Sequence, residues 1–241
     1  MSLKTISPDE VTYYALNNEI NIPVNDQIPL NKDKEALQAF LTENVAPNTM
    51  KFASLQERLK YLVEHHYYEA DFLKKYQPAF LEKLNQFLTA QHFQFKSFMA
   101  AYKYYAQYAL KTDDGTQYLE DYKDRVFANA LFFADGNEDL AVDLADEMIH
   151  QRYQTATPSF LNAGRARRGE LVSCFLLQIT DDMNSIGRAI NSALELSRIG
   201  GGVGLTLSNL REAGAPIKGI DGAASGVLPV MKLLEDSFSY L

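Results

Sequence analysis

The sequence predicts a mixed α and α/β protein: mostly helical up to about residue 155, then strand, helix and strand. Three observations carry this. Between positions 54 and 90 apolar residues recur at helical spacing: Leu55, Leu59, Leu62 and Val63, then Phe72 and Leu73, then Phe80, Leu81, Leu84, Phe87 and Leu88. After Pro158 the texture changes, and residues 170–179 are apolar and β-branched enough for a buried strand. A second helical pattern then ends at Gly200-Gly201-Gly202-Val203-Gly204, with another strand over 203–207, and strand-helix-strand argues for a parallel βαβ unit.

In chain order, residues 1 to about 33 read as irregular, because Pro8, Pro23 and Pro29 interrupt any helix and Asn17, Asn18, Asn21 and Asn25 favour turns. Asp33 can cap a helix over 34–44 with Leu37, Phe40 and Leu41 on one face. Further helices are expected over 54–90, 97–109, 118–133 and 138–153, with a turn at Asp113-Asp114-Gly115. Asp181-Asp182 precede Met183, Ile186, Ile190, Ala193, Leu194 and Leu196, which fit one helix ending at the Gly200 cluster. A Gly- and Pro-rich loop over 213–226 leads to an amphipathic helix over 227–240, and the pattern stops there as if truncated.

Composition narrows the function. An apolar fraction of 46% supports a sizeable core, and a net charge of −8 lacks the positive field of a dedicated nucleic-acid binder. No apolar stretch approaches the ~20 residues of a membrane span, and residues 1–21 have no secretory pattern. A single cysteine, Cys174, forms no internal disulfide, which fits a reducing cytosol.

Chemistry concentrates around that cysteine. Cys174 lies in the run Leu171–Leu177, where a thiol is either a small core hydrophobe or a reactive group. Ser173, with Thr157-Pro158-Ser159 upstream, offers hydroxyls and N–H groups that could hold a phosphate, while Arg165, Arg167 and Arg168 form a short basic cluster. The glycine cluster closes a helix and opens a strand, the reverse of a dinucleotide-binding turn, so it reads as a C-cap or as a close backbone approach to a ligand. Asp181, Arg211 and Lys218 form a third group: an acid at a strand end can accept ribose hydroxyls, and Arg with Lys on a loose loop can clamp phosphates. Glu147 and His150 have the E-x-x-H spacing of di-iron helices, but no second copy exists; with Asp139, Asp143 and Asp146 nearby, a solvated acidic face is the expected reading. His65-His66 reads as packing or surface, so no metal site is expected.

Together the segments Thr157-Pro158-Ser159, Ser173-Cys174-Phe175-Leu176-Leu177, Asp181, Asn184-Ser185-Ile186, Gly200–Gly204 and 210–219 (Leu-Arg-Glu-Ala-Gly-Ala-Pro-Ile-Lys-Gly) resemble the large subunit of aerobic ribonucleotide reductase. Pro23-Val24-Asn25 and the early helices resemble class Ib, without the extra ATP-cone domain of class Ia. The resemblance implies a helical N-terminal domain over 1–85, a helical part of the catalytic domain over 86–160, and the start of a ten-stranded α/β barrel over 161–241, carrying the effector site and dimer helices. It implies that Cys174 is one of the redox pair that reduces the ribonucleotide. Thr157, Ser173 and Gly202 would contact a ribonucleoside diphosphate. Asp181 and Arg211 would bind a deoxynucleoside triphosphate or ATP effector; Lys218 falls where some relatives have Arg.

The same resemblance implies a cytoplasmic homodimer that binds no cofactor itself. Its radical would come from a small partner subunit with a dimanganese or di-iron centre, and its reducing power from a glutaredoxin-like protein. The partner cysteine and the radical cysteine are absent from these 241 residues, so this chain alone is expected not to turn over. A non-catalytic effector-binding or dimerisation module is the alternative. A nicotinamide oxidoreductase is disfavoured by the order of helix and glycines.

Overall fold

The first helix, α1 (Thr12–Glu19), stands where the sequence suggests irregular chain. Its Tyr13 is buried edge-on against Phe40 at 5.1 Å, and Tyr14 donates to the Tyr102 hydroxyl at 2.8 Å, so tertiary packing overrides the turn preference of Asn17 and Asn18. The computed structural model describes residues 12–19, 30–167 and 169–239. Pro8, Pro29, Pro23-Val24-Asn25, Arg168 and Tyr240-Leu241 lie outside the described residues. The chain divides into two compact units, residues 1–167 and 168–241.

In the first unit α2 (Leu30–Phe40) starts before Asp33 and runs into a π-helical turn at Leu41–Val45. Asp33 therefore does not cap it; its carboxylate accepts the Phe98 N–H at 3.1 Å. The predicted 54–90 helix is three: α3 (Leu55–Glu64), α4 (Ala70–Leu73) and α5 (Pro78–Ala90). Ser54 caps α3 by accepting from Glu57 N, while Pro78 opens α5 in a first turn that needs no N–H donor. The breaks escape a reading by apolar spacing because the heptad-like pattern continues across them. Ser97 caps α6 (Phe98–Lys103), which continues as a second π-helical turn, Tyr104–Tyr108.

Helix α7 (Tyr122–Ala134) begins later than the pattern suggests, because residues 118–120 are held extended by bonds from Tyr118 N to Asn48 O (2.7 Å) and Leu119 N to Leu110 O (2.8 Å). A reciprocal capping box between Asp121 and Asp124 starts it. Helices α8 (Glu138–Ile149) and α9 (Thr157–Asn162) complete the unit. Its core holds a buried charge cluster: Glu120 receives Arg125 at 3.1 Å, Arg165 at 2.7 Å and the Tyr68 hydroxyl. Burial alone would drive the Glu120 carboxyl up, but Arg125 and Arg165 overcome it and hold it down at about 2.

In the second unit β1 (Cys174–Gln178) and β2 (Gly202–Thr206) pair in parallel, joined by α10 (Met183–Arg198) and followed by α11 (Leu228–Phe238). Asp182 caps α10 by accepting Ser185 N at 2.8 Å. The helix ends in a Schellman turn: Gly201 N reaches Leu196 O and Gly200 N reaches Ser197 O, both at 2.9 Å, with Gly200 at φ +90°. The C-cap reading of the glycine cluster is thus realised at Gly200 and Gly201. Gly201 also has no room for a side chain, since a Cβ would meet Phe175 at 2.5 Å and Leu196 O at 2.8 Å.

The sheet corrects one expectation. Cys174 was expected in a buried strand, but burial alternates along both strands and Cys174 is exposed. Phe175, Leu177, Val203 and Leu205 face the half-buried side, where α10 packs; Cys174, Leu176, Gln178, Gly202, Gly204 and Thr206 face outward. One helix covers one face of a two-stranded sheet, whereas a parallel sheet is ordinarily covered on both. Among the described residues no helix is long and apolar enough to cross a membrane.

Candidate functional site

The parallel register sets Cys174 directly opposite Gly202, both on the open face. Gly202 N donates to Ser173 O at 2.6 Å, so the backbone of Ser173 is tied to the start of β2. A Cβ built on Gly202 would approach only Ser173 O, at 3.5 Å, an ordinary contact. The chain itself would therefore admit a side chain there, and its absence leaves free space beside the Cys174 thiol. Ser173, Cys174 and Gly202 are brought together on a rigid backbone; the sulfur is accessible.

At the far end of β1 the chain turns through Ile179, which is fully buried, its N–H on Thr206 O at 3.2 Å and its carbonyl on the Asn209 amide at 3.2 Å. This anchor throws Asp181 outward toward Arg211, whose Nε donates to Asp181 Oδ2 at 2.6 Å. The Arg211 Nη1 donates to Pro216 O at 3.4 Å, so the pair also pins the following loop. Asp181 and its neighbour divide labour: Asp182 is occupied with the helix cap and with Thr180, whose hydroxyl bond comes first in holding its carboxyl low.

A cavity of about 430 Å³ opens beside this pair. Asp181, Met183, Ile186, Arg211, Ile217 and Val230 are among its lining, so an ion pair stands at the edge of a mainly apolar hollow of ligand size. Lys218 is not among the lining residues. It sits exposed at the tip of a two-residue turn, with φ +51° at Lys218 and +81° at Gly219, closed by reciprocal Ile217–Ile220 backbone bonds of 3.1 and 3.0 Å. Sequence reasoning missed the apolar wall of the cavity from α11, because its residues read as one face of an amphipathic helix.

Thr157 belongs to the first unit, at the start of α9. Its Oγ1 lies 3.2 Å from the Tyr108 hydroxyl. Helix α9 is tied to the core: Arg125 donates to Ala163 O, and Asn129 Nδ2 donates to Phe160 O at 3.0 Å. Of the short basic cluster in the sequence, Arg165 is buried on Glu120, while Arg167 is exposed and paired with Asp113 at 2.9 Å.

The remaining motifs are accounted for locally. Glu147 takes Arg152 at 2.9 Å, and the His150 ring meets the Asp146 carbonyl at 2.9 Å. His65 stacks on Tyr61 with centroids 4.0 Å apart. Among the described residues no group of three or more His, Cys, Asp or Glu side chains converges as a metal site would require.

Three family models match in succession: ribonucleotide reductase N-terminal over residues 13–93, ribonucleotide reductase all-alpha domain over 94–168, and ribonucleotide reductase barrel domain over 172–241. The chain is 48% identical over 228 residues to the ribonucleoside-diphosphate reductase subunit alpha of Bacillus subtilis (strain 168), covering 95% of this chain and 33% of that protein. It is 47% identical over 242 residues to the subunit of the same name from Mycoplasma pneumoniae, covering 100% of this chain and 34% of that one. The ribonucleoside-diphosphate reductase large chain of Cryptosporidium parvum matches at 35% identity over 97 residues, 39% of this chain and 12% of that one. The chain thus spans about a third of the length of the first two relatives.

Proposed function

The chain belongs to the ribonucleotide reductase family, and from that premise we propose that it serves in a class Ib large subunit that converts ribonucleoside diphosphates to 2′-deoxyribonucleoside diphosphates. The observation that carries this is the open thiol of Cys174 opposite Gly202, on a strand whose other end leads to the Asp181–Arg211 pair.

Replacing the 2′-hydroxyl by hydrogen, with loss of water, consumes two electrons and two protons. Two thiols supply both and close to a disulfide. Cys174 is one of the two, and the second thiol, like the radical cysteine, must come from beyond these residues because the sequence holds a single cysteine. The radical that starts the chemistry comes from a small partner subunit with a dimanganese or di-iron centre. Pairing of β1 with β2 fixes the Cys174 backbone, so the thiol is presented without a loop-ordering cost. The bare Gly202 lets the ribose approach the backbone. Ser173 and Thr157 supply donors to the substrate.

Asp181 and Arg211 hold the deoxynucleoside triphosphate or ATP effector beside the apolar cavity, with Lys218 on an exposed turn as a further phosphate donor. Helices α10 and α11 present Met183, Leu228 and Met231 at 81%, 72% and 49% exposure, which supports their role as the dimer face. The assembly is cytoplasmic and re-reduced by a glutaredoxin-like protein. The test is deoxynucleoside diphosphate formation by the whole subunit with its radical partner and reductant. No product from the wild-type assembly would overturn the reading.

A further inference from the structure

The phenol of Tyr108 has no role in the reading above, yet it lies against one of the proposed substrate residues, 3.2 Å from Thr157 Oγ1. Tyr108 is unusually well fixed for a half-exposed side chain. It ends the π-helical turn Tyr104–Tyr108, whose wider backbone ring displaces the last residue relative to an α-helix. Its carbonyl accepts Arg165 Nη2 at 2.6 Å, and that same Arg165 nitrogen is held by the buried Glu120 at 2.7 Å. Its ring meets Phe160 of α9 edge-on, with centroids 6.1 Å apart. The core carboxylate thus reaches the surface through Arg165 to the backbone that carries the phenol. Thr157, by contrast, is exposed, and a threonine hydroxyl is a free rotor that both donates and accepts.

We infer that Tyr108 is a positioning residue for Thr157: by donating its phenolic hydrogen to Thr157 Oγ1, it turns the threonine's own O–H outward as a set donor to the nucleotide substrate. This rests on the reading that Thr157 contacts substrate. The hydrogen bond removes one rotor that substrate would otherwise have to order, so its loss weakens binding rather than the chemical step.

The experiment is a kinetic double-mutant cycle in the whole subunit with its radical partner. Tyr108→Phe keeps the ring and its Phe160 contact and deletes only the hydroxyl. KM for the ribonucleoside diphosphate is expected to rise about three- to tenfold, with kcat and the unfolding midpoint unchanged. Thr157→Val should raise KM at least as far, and adding Tyr108→Phe to it should change nothing further. An unchanged KM in Tyr108→Phe, additive effects in the double variant, or a fall in the unfolding midpoint that accounts for the loss would each overturn the positioning role. Thr157→Val with an unchanged KM would instead remove the reading of Thr157, and this inference with it.

Discussion

Arg211 Nε donates to Asp181 Oδ2 at 2.6 Å, joining the end of the first strand to a loop that lies thirty residues later in the chain. The pair is more than a third exposed, with side-chain exposures of 39% and 35%, so water screens it and its worth to folding is small. In the proposed effector site it presents a cation at the cavity edge. Arg211→Met should weaken thymidine triphosphate binding by about ten- to a hundredfold in calorimetry, the size of a lost charge-assisted bond. Asp181→Asn should weaken it less. Equal affinity in Arg211→Met and wild type would place the effector elsewhere.

Glu120 is costly to alter, because its fully buried carboxylate sits between two arginines. Glu120→Gln leaves Arg125 and Arg165 without their buried counter-charge, a loss of about 3–5 kcal/mol and on the order of 10 °C in the unfolding midpoint. Its carboxyl is held at about 2 in the folded chain against an ordinary value of 4.5, so the folded state binds fewer protons than the unfolded one between those values. Stability from this group is complete above pH 4.5 and is lost as pH falls toward about 2. Asp121 runs the other way: burial first, and then the Asp124 carboxylate, push it up to about 7, so its contribution declines as pH rises from about 4 to 7, softened by its partial exposure. Acid unfolding that is identical in wild type and Glu120→Gln between about pH 2 and 4 would contradict the assignment.

Gly201→Ala should destabilise the second unit by about 1–3 kcal/mol, because the new methyl group meets the Phe175 ring and the Leu196 carbonyl together. Gly202→Ala, one residue on, should be nearly neutral for stability, while raising KM for the ribonucleotide. Denaturant titration separates the two, and the reverse order of effects would mean that the glycines serve other purposes.

Much of this was legible in the residues. The βαβ unit followed from the change of texture after Pro158, and the helices that start at Ser54 and Ser97 followed from apolar spacing, although that spacing does not reveal the serines' capping bonds. What escaped was set by long-range contacts. Nothing around Asn17 and Asn18 reveals that Tyr13 docks on Phe40 and Phe98, nor do three nearby arginines reveal that Arg165 turns inward to Glu120 while Arg167 stays out. The site divided likewise. The candidates Cys174, Gly202, Asp181 and Arg211 are singled out by the order of segments that carries the family resemblance, whereas Tyr108 sits in a Tyr-rich helical stretch where spacing points only to packing. The exposure of Cys174 was misread because apolar neighbours predict burial only when both faces of a sheet are covered.

The proposed dimer face offers a sharp test. Met231→Glu places a charge among exposed apolar side chains of α11, and in an assembled interface it would be buried without a partner. Sedimentation should show the whole subunit shifted to monomer, with effector response lost. A variant that sediments as the wild-type dimer would move the interface to another surface.

The most direct measurement is a single turnover by the whole subunit and its radical partner without external reductant, followed by alkylation and mass analysis of Cys174. The account predicts that Cys174 passes from an alkylatable thiol to a disulfide in step with deoxynucleotide formation, and that Cys174→Ser forms none. A Cys174 still fully alkylated after product has formed, or wild-type yield from Cys174→Ser, would contradict it.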